Sequence, residues 1–169
     1  MNNPIIKTSQ IDYSFNEKQI LNNVNIDVNQ GEILGIVGPN GSGKTTIFNI
    51  LNGSIKANNG SIYINGINIR NLSINERSKL IAVVPQNAIF PEDMSVFELT
   101  AMGRNPYLNL LSWESENDNQ LTIQSIDKVG LLGLASKKLK HASGGEKQLA
   151  LIAMAICQQT SIMLLDEPT

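Results

Sequence analysis

The chain has 169 residues, 41% hydrophobic and 17% charged, which suffices for one buried core; its formal charge of -2 and pI near 5.4 exclude a global basic field for bulk nucleic acid. A single cysteine, Cys157, excludes an internal disulfide and any secreted-type cysteine framework. The start, Met1 to Lys7, has no basic region ahead of a long apolar segment, and the apolar run Leu149 to Cys157 falls well short of the roughly 20 residues of a membrane-spanning helix, so neither a signal peptide nor a spanning helix is expected.

From the N-terminus, Ile11, Tyr13 and Phe15, then Ile20, Leu21, Val24, Ile26 and Val28, alternate in short bursts that predict half-buried strands of an antiparallel sheet. After Gln30-Gly31-Glu32, the continuous run Ile33-Leu34-Gly35-Ile36-Val37 predicts a strand covered on both faces in a parallel sheet. A helix is expected over Thr45 to Asn52, with Ile47, Ile50 and Leu51 on one face and Gly53 as its stop. Ser61 to Ile69 reads as a hairpin turning at Asn65-Gly66.

Leu80 to Val84 predicts a second buried strand, which Pro85 stops. From Asn87 to Lys140 the spacing becomes helical: Ser95-Val96-Phe97-Glu98 is a capping box, and Ile123, Ile126 and Val129 recur at helical intervals. Trp113 to Gln120, polar and acidic, reads as a solvated loop between helices. In the apolar run before it ends, Cys157 reads as a buried, inert thiol. Ser161 to Leu165 is expected to form a last strand carrying Asp166-Glu167 at its carboxyl end.

The stretch Gly38-Pro39-Asn40-Gly41-Ser42-Gly43-Lys44-Thr45 matches G-x-x-x-x-G-K-[ST] between an expected strand and an expected helix, the context of a phosphate-binding loop. Gly41 and Gly43 let the backbone curl so that its N–H groups face the phosphates of ATP, and the helix N-terminus adds a favourable dipole. Lys44 is placed to reach the β- and γ-phosphates, Thr45 to coordinate Mg²⁺ and Thr46 to touch the α-phosphate. Asp166 at a strand end can hold Mg²⁺ through water, and Glu167 can orient a water in line with the γ-phosphate.

In the order of these motifs, with Gln86 after Pro85 and with Ser143-Gly144-Gly145-Glu146-Lys147-Gln148, the chain resembles the ATP-binding-cassette (ABC) ATPases from Ile5 to Thr169. The resemblance implies an α/β P-loop NTPase fold with a mainly parallel core sheet, an N-terminal antiparallel β-subdomain and a helical signature subdomain. It further implies one ABC ATPase domain over 1–169, incomplete at its C-terminus, with core and β-subdomain in about 1–86 and 143–169 and the helical subdomain in 87–142.

In that family the Gln86 position contacts Mg²⁺ and the attacking water, so Glu167, Lys44 and Gln86 form the implied catalytic set. Ser143, Gly144 and Gly145 match the signature that closes over ATP held by another subunit's phosphate loop, which implies a head-to-tail homodimer. Ala142 replaces the usual leucine before it. Phe15 aligns with the adenine-stacking aromatic, usually tyrosine, with Tyr13 as the other candidate. His141 precedes the signature and does not match the family's switch histidine.

Glu98 to Tyr107, with Gly103-Arg104-Asn105-Pro106-Tyr107 at its end, resembles a segment of iron-siderophore, haem and cobalamin importers, and Arg77 to Gln86 agrees with it. The alternative for Arg104 and Pro106 is a plain helix end. The importer resemblance implies a cytoplasmic ATPase subunit, peripheral at the inner face of the cell membrane, docked on a transmembrane permease near Gln86 to Tyr107 and served indirectly by a substrate-binding protein, with no nucleic acid. Two other readings stay open: a soluble non-transport ABC ATPase, and a nucleotide-binding fragment without turnover.

Overall fold

The computed structural model describes residues 4–86, 88–91, 93–108 and 115–166, and the chain divides into two compact units, Met1–Arg77 and Ser78–Thr169. In the first unit, β1 (Ile6–Phe15) is the central strand. It pairs antiparallel with β2 (Lys18–Val24), β3 (Asp27–Val28) and β4 (Asn59–Ile64), and β4 pairs with β5 (Ile67–Asn68), giving a five-stranded sheet.

Two tight turns explain why these strands fold back on one another. Asn16 and Glu17 have φ of 46° and 64° and Asn65 and Gly66 φ of 50° and 78°, the doubly left-handed backbone that matches the twist of a two-residue hairpin. The alternating residues Ile6, Ile11, Ile62 and Ile64 are buried, as are Ile47, Ile50 and Leu51 on one face of α1 (Lys44–Leu51). Gly53, at φ 75°, ends that helix as its position predicts.

The second unit begins in the last turn of the short helix α2 (Ile74–Ser78) and carries a parallel pair, β6 (Ile81–Val84) with β7 (Ile162–Leu165), in register from Ile81↔Ile162 to Val84↔Leu165. Three helices pack together beside it: α3 (Val96–Ala101), α4 (Glu116–Lys128) and α5 (Gly144–Cys157). Their shared core holds Val96, Leu99, Ile126, Leu139, Ala150 and Leu151, with Ala82 and Val84 from β6. Each of the three starts with a capping box, Ser95/Glu98, Ser115/Asp118 and Ser143/Glu146, in which serine oxygen and carboxylate satisfy reciprocal backbone N–H groups.

Two expectations are corrected here. Ile33–Val37 forms no strand, and Ile33 and Val37 are 98% and 93% exposed. A strand covered on both faces needs hydrogen-bonding neighbours, and no described strand pairs with this run, so its apolar character alone leaves it irregular. Of the loop expected over Trp113 to Gln120, residues 116–120 are the first turns of α4, while Trp113 and Glu114 lie outside the described residues. Glu116 and Asp118 there answer the positive end of the helix and, in the case of Asp118, its cap; the acidic composition reflected a helix start.

Candidate nucleotide site

Residues 38–45 lead directly into α1. Gly41 and Gly43 stand at φ 80° and 94°, where a side chain is strained, and a Cβ on Gly43 would also lie 2.9 Å from Leu21 of β2. The Lys44 ammonium donates to the carbonyls of Gly38 at 2.8 Å and Pro39 at 3.1 Å, and the Ser42 N–H reaches Pro39 O at 3.2 Å, so the loop closes into a ring around its own lysine. The first turn of α1 contains no acidic residue. Helix dipole, left-handed glycines and an ammonium bonded to carbonyls rather than to a carboxylate together favour an anion.

Asn40 and Thr45 are exposed and Thr46 half-buried. Phe15, at the end of β1 beside the hairpin turn, is 60% exposed and so free of the core, whereas Tyr13 is half-buried.

The remaining candidates belong to the second unit. The Asp166 N–H donates to Val84 O at 3.0 Å, extending the β6–β7 ladder by one residue and holding Asp166 next to Pro85-Gln86 at the carboxyl ends of two parallel strands, where α/β sheets place ligands. Glu167 lies outside the described residues. Ser143 is the N-cap of α5: its Oγ accepts from Glu146 N at 3.2 Å, and Glu146 Oε2 accepts from Ser143 N at 2.8 Å and from Lys137 Nζ at 2.7 Å. The Lys137 ammonium first, then the Ser143 N–H, hold the Glu146 carboxyl below its ordinary pKa.

Gly144 and Gly145 have open space where a Cβ would stand, and neither has a left-handed φ. Packing among the described residues therefore does not require glycine there, and the exposed amides leave room for a close external approach.

The segment after α3 is a 3₁₀ helix, Met102–Tyr107, whose Arg104 points inward. Arg104 is 6% exposed; Nε donates to Asp118 Oδ1 at 2.8 Å and a terminal nitrogen to Cys157 O at 3.0 Å, at the carboxyl end of α5. Its guanidinium also lies 4.1 Å from the Tyr107 ring centre, and Tyr107 Oη donates to Gln158 O at 2.9 Å. A Cβ on Gly103 would collide with Met154 O, which is why this segment can lie so close to α5. Cys157 is fully buried, as its apolar surroundings predict.

For Mg²⁺, the chain offers hard oxygen donors: a hydroxyl on Thr45, an amide on Gln86 and a carboxylate on Asp166. No cluster of three or more His, Cys, Asp or Glu that could hold a metal exists among the described residues. Thr45 belongs to the first unit and Gln86 and Asp166 to the second; each is an oxygen donor of the kind that Mg²⁺ takes, an ion that keeps waters and draws much of its coordination from substrate phosphates.

The profile of the ABC transporter family matches residues 21–169. The chain belongs to the ABC transporter family. It is 31% identical, over 97% of its own length and 61% of the relative's, to the iron(3+)-hydroxamate import ATP-binding protein of Bacillus subtilis. With the ferric enterobactin transport ATP-binding protein of Escherichia coli it shares 33% identity over 97% of the chain and 60% of that protein. An ABC transporter of metal-chelate type, solved in an inward-facing conformation, superposes with a TM-score of 0.84 at 30% identity, over 99% of this chain and 62% of that one. A nucleotide-free ATP-binding cassette gives 0.86 at 29% identity, over 98% and 70%. The α/β P-loop fold of this ABC chain is thereby shown, and the chain spans about 60% of the length of these two curated relatives. It is an ABC ATP-binding sequence related to those of siderophore and metal-chelate importers.

Sequence reasoning missed Lys137, Asp118 and the inward role of Arg104. Asp118 could have been found: Ser115 three residues before it repeats the spacing of the Ser95/Glu98 box. Lys137 has no local signal, because its partner Glu146 is reached only through the fold.

Proposed function

We propose that this chain is the nucleotide-binding part of an ATPase subunit that couples ATP binding and hydrolysis to uptake of a metal chelate. The observation that carries the proposal is the loop of residues 38–45: two left-handed glycines, a helix N-terminus free of acidic residues, and Lys44 bonded to carbonyls it can exchange for phosphate oxygens. In this reading the backbone of Gly38, Pro39, Asn40, Gly41, Ser42 and Gly43 cradles the phosphates, Thr46 touches the α-phosphate and Phe15 stacks on adenine. Thr45, Gln86 and Asp166 hold Mg²⁺, whose contribution is to offset charge on the β- and γ-phosphate oxygens. Glu167 orients the attacking water. Ser143, Gly144 and Gly145 meet the γ-phosphate on a second copy.

The same reading makes residues 1–169 a single cassette domain with its helical part near 87–142, working as a homodimer at the inner face of the cell membrane. A permease docks near Gln86 to Tyr107, and cargo arrives through a substrate-binding protein without touching this chain. The names of the importer relatives support the metal-chelate assignment. Arg104, bonded inside its own unit, shapes that segment and leaves its exposed residues, Met102 among them, to face the permease.

Calorimetry with Mg-ATP, using Lys44→Ala as control, followed by phosphate release, tests the proposal. Binding by the chain with slow release is expected. Equal binding by Lys44→Ala would refute the role of the loop. Recovery from cells with RNA rather than a membrane permease would move the function to a soluble ABC ATPase.

A further inference from the structure

Lys137 and Lys138 are neighbours on the segment between α4 and α5, and each reaches the capping carboxylate of a different helix. Lys137 Nζ lies 2.7 Å from Glu146 Oε2 at the start of α5, and Lys138 Nζ lies 3.4 Å from Glu98 Oε2 at the start of α3. Backbone bonds fix the segment that carries them: Phe97 N to Ala135 O at 2.8 Å, Val96 N to Lys137 O at 3.0 Å and Leu139 N to Met94 O at 2.8 Å. Lys140 adds an ion pair to Asp93 at 2.6 Å. The lysines thus project from a strip laced to the start of α3.

The cap of α5 does not need a lysine in order to close. Ser143 and Glu146 exchange two backbone bonds, the reciprocal pair that defines a capping box without any cation. What Lys137 adds is charge. Glu146 places a carboxylate in the first turn of α5, beside Ser143 and the open amides of Gly144 and Gly145, and a bare negative charge there opposes the approach of a phosphate. Lys137 offsets that charge and fixes the carboxylate oxygen toward the Ser143 N–H.

We propose that Lys137 is a positioning residue for closure on nucleotide: it neutralises and orients Glu146 so that Ser143, Gly144 and Gly145 can meet the γ-phosphate of ATP held by a second copy of the chain. This rests on the nucleotide-binding reading above and adds a residue to it.

The test compares the chain with Lys137→Met, Lys137→Arg and the double variant Lys137→Met/Glu146→Gln, measuring Mg-ATP affinity by calorimetry and ATP-dependent dimerisation by sedimentation. Lys137→Met is expected to keep its Mg-ATP affinity within about twofold and to need on the order of three- to tenfold more ATP for half-dimerisation at low salt, an effect that shrinks as salt rises. Lys137→Arg and the double variant, each without a bare carboxylate at the cap, are expected to return near the starting value. A purely structural lysine would instead lower the urea midpoint of Lys137→Met, which is expected to stay near that of the unmodified chain. Dimerisation of Lys137→Met at the unmodified ATP concentration, or a double variant no better than Lys137→Met, overturns the proposal while nucleotide binding stands. If the unmodified chain binds Mg-ATP without dimerising, the composite site and this proposal both fall; if it binds no Mg-ATP, the nucleotide reading falls with them.

Discussion

Lys44 and Lys137 are both half-buried cations beside the first turn of a helix, and they have opposite partners. Lys44 is bonded to carbonyls of its own loop next to a helix start without carboxylates, whereas Lys137 is bonded to the carboxylate that caps its helix. Net positive character therefore stays at α1 and is cancelled at α5. The first arrangement can hold an anion unaided; the second offers a phosphate only neutral donors, a hydroxyl and amides, and suits an anion already held elsewhere. The helical region around α5 is in this sense completed by its own chain, whereas the loop before α1 leaves its positive character open to an anion.

The largest effect that would sharpen this contrast comes from the most thoroughly internal charge pair. Asp118→Ala leaves Arg104, with its side chain 7% exposed, without its carboxylate, and is expected to cost about 3 kcal/mol or more in unfolding free energy, read from the urea midpoint. Lys44→Ala should behave in the opposite way. Its urea midpoint is expected to stay near that of the unmodified chain, while Mg-ATP affinity falls by about 2–3 kcal/mol, on the order of 30- to 150-fold. If Lys44→Ala instead lost stability and kept its affinity, the ring that Lys44 closes around Gly38 and Pro39 would be a structural device and not a phosphate site.

A smaller effect separates cap from ligand contact at Ser143. Ser143→Ala removes the N-cap acceptor of α5 and should cost about 1 kcal/mol of stability while leaving calorimetric Mg-ATP affinity of the isolated chain unchanged. A drop in that affinity would mean that the signature serine touches nucleotide on its own chain.

The same division governs what the sequence could disclose. Motifs made of neighbours in the chain were legible: the glycines and lysine ahead of α1, the Asn65-Gly66 turn, the Ser95/Glu98 box, the helix start at Ser143. The strand pattern of β1, β2 and β4 was legible too, because period-two alternation follows from which side chains one face buries. Ile33–Val37 misled because an apolar run states what a segment avoids and not which neighbours it has. Arg104 was singled out for its motif, yet its inward role depends on Asp118 and on the carbonyl of Cys157, partners that meet only when three helices pack. Lys137 was invisible for the same reason.

The mildest test uses acid. Asp118, Glu98 and Glu146 all lie in the second unit, and each has its carboxyl pKa lowered: Asp118 by the Ser115 hydroxyl and then Arg104, Glu98 by the Ser95 N–H and hydroxyl, Glu146 by Lys137 and the Ser143 N–H. A carboxylate whose pKa is lower folded than unfolded contributes stability above the unfolded value, and that contribution is lost as pH falls through the folded one. The urea midpoint should therefore hold through neutral pH and begin to fall once the pH drops below the ordinary carboxylate range, about 4 to 4.5. In Glu98→Gln/Glu146→Gln, where glutamine preserves the capping geometry without the charge, the midpoint at neutral pH should be slightly lower and its decline in acid shallower. An acid slope identical to that of the unmodified chain would show that these caps contribute no charge-dependent stability, and the contrast between a self-neutralised α5 and an open α1 would then rest on Lys44 alone.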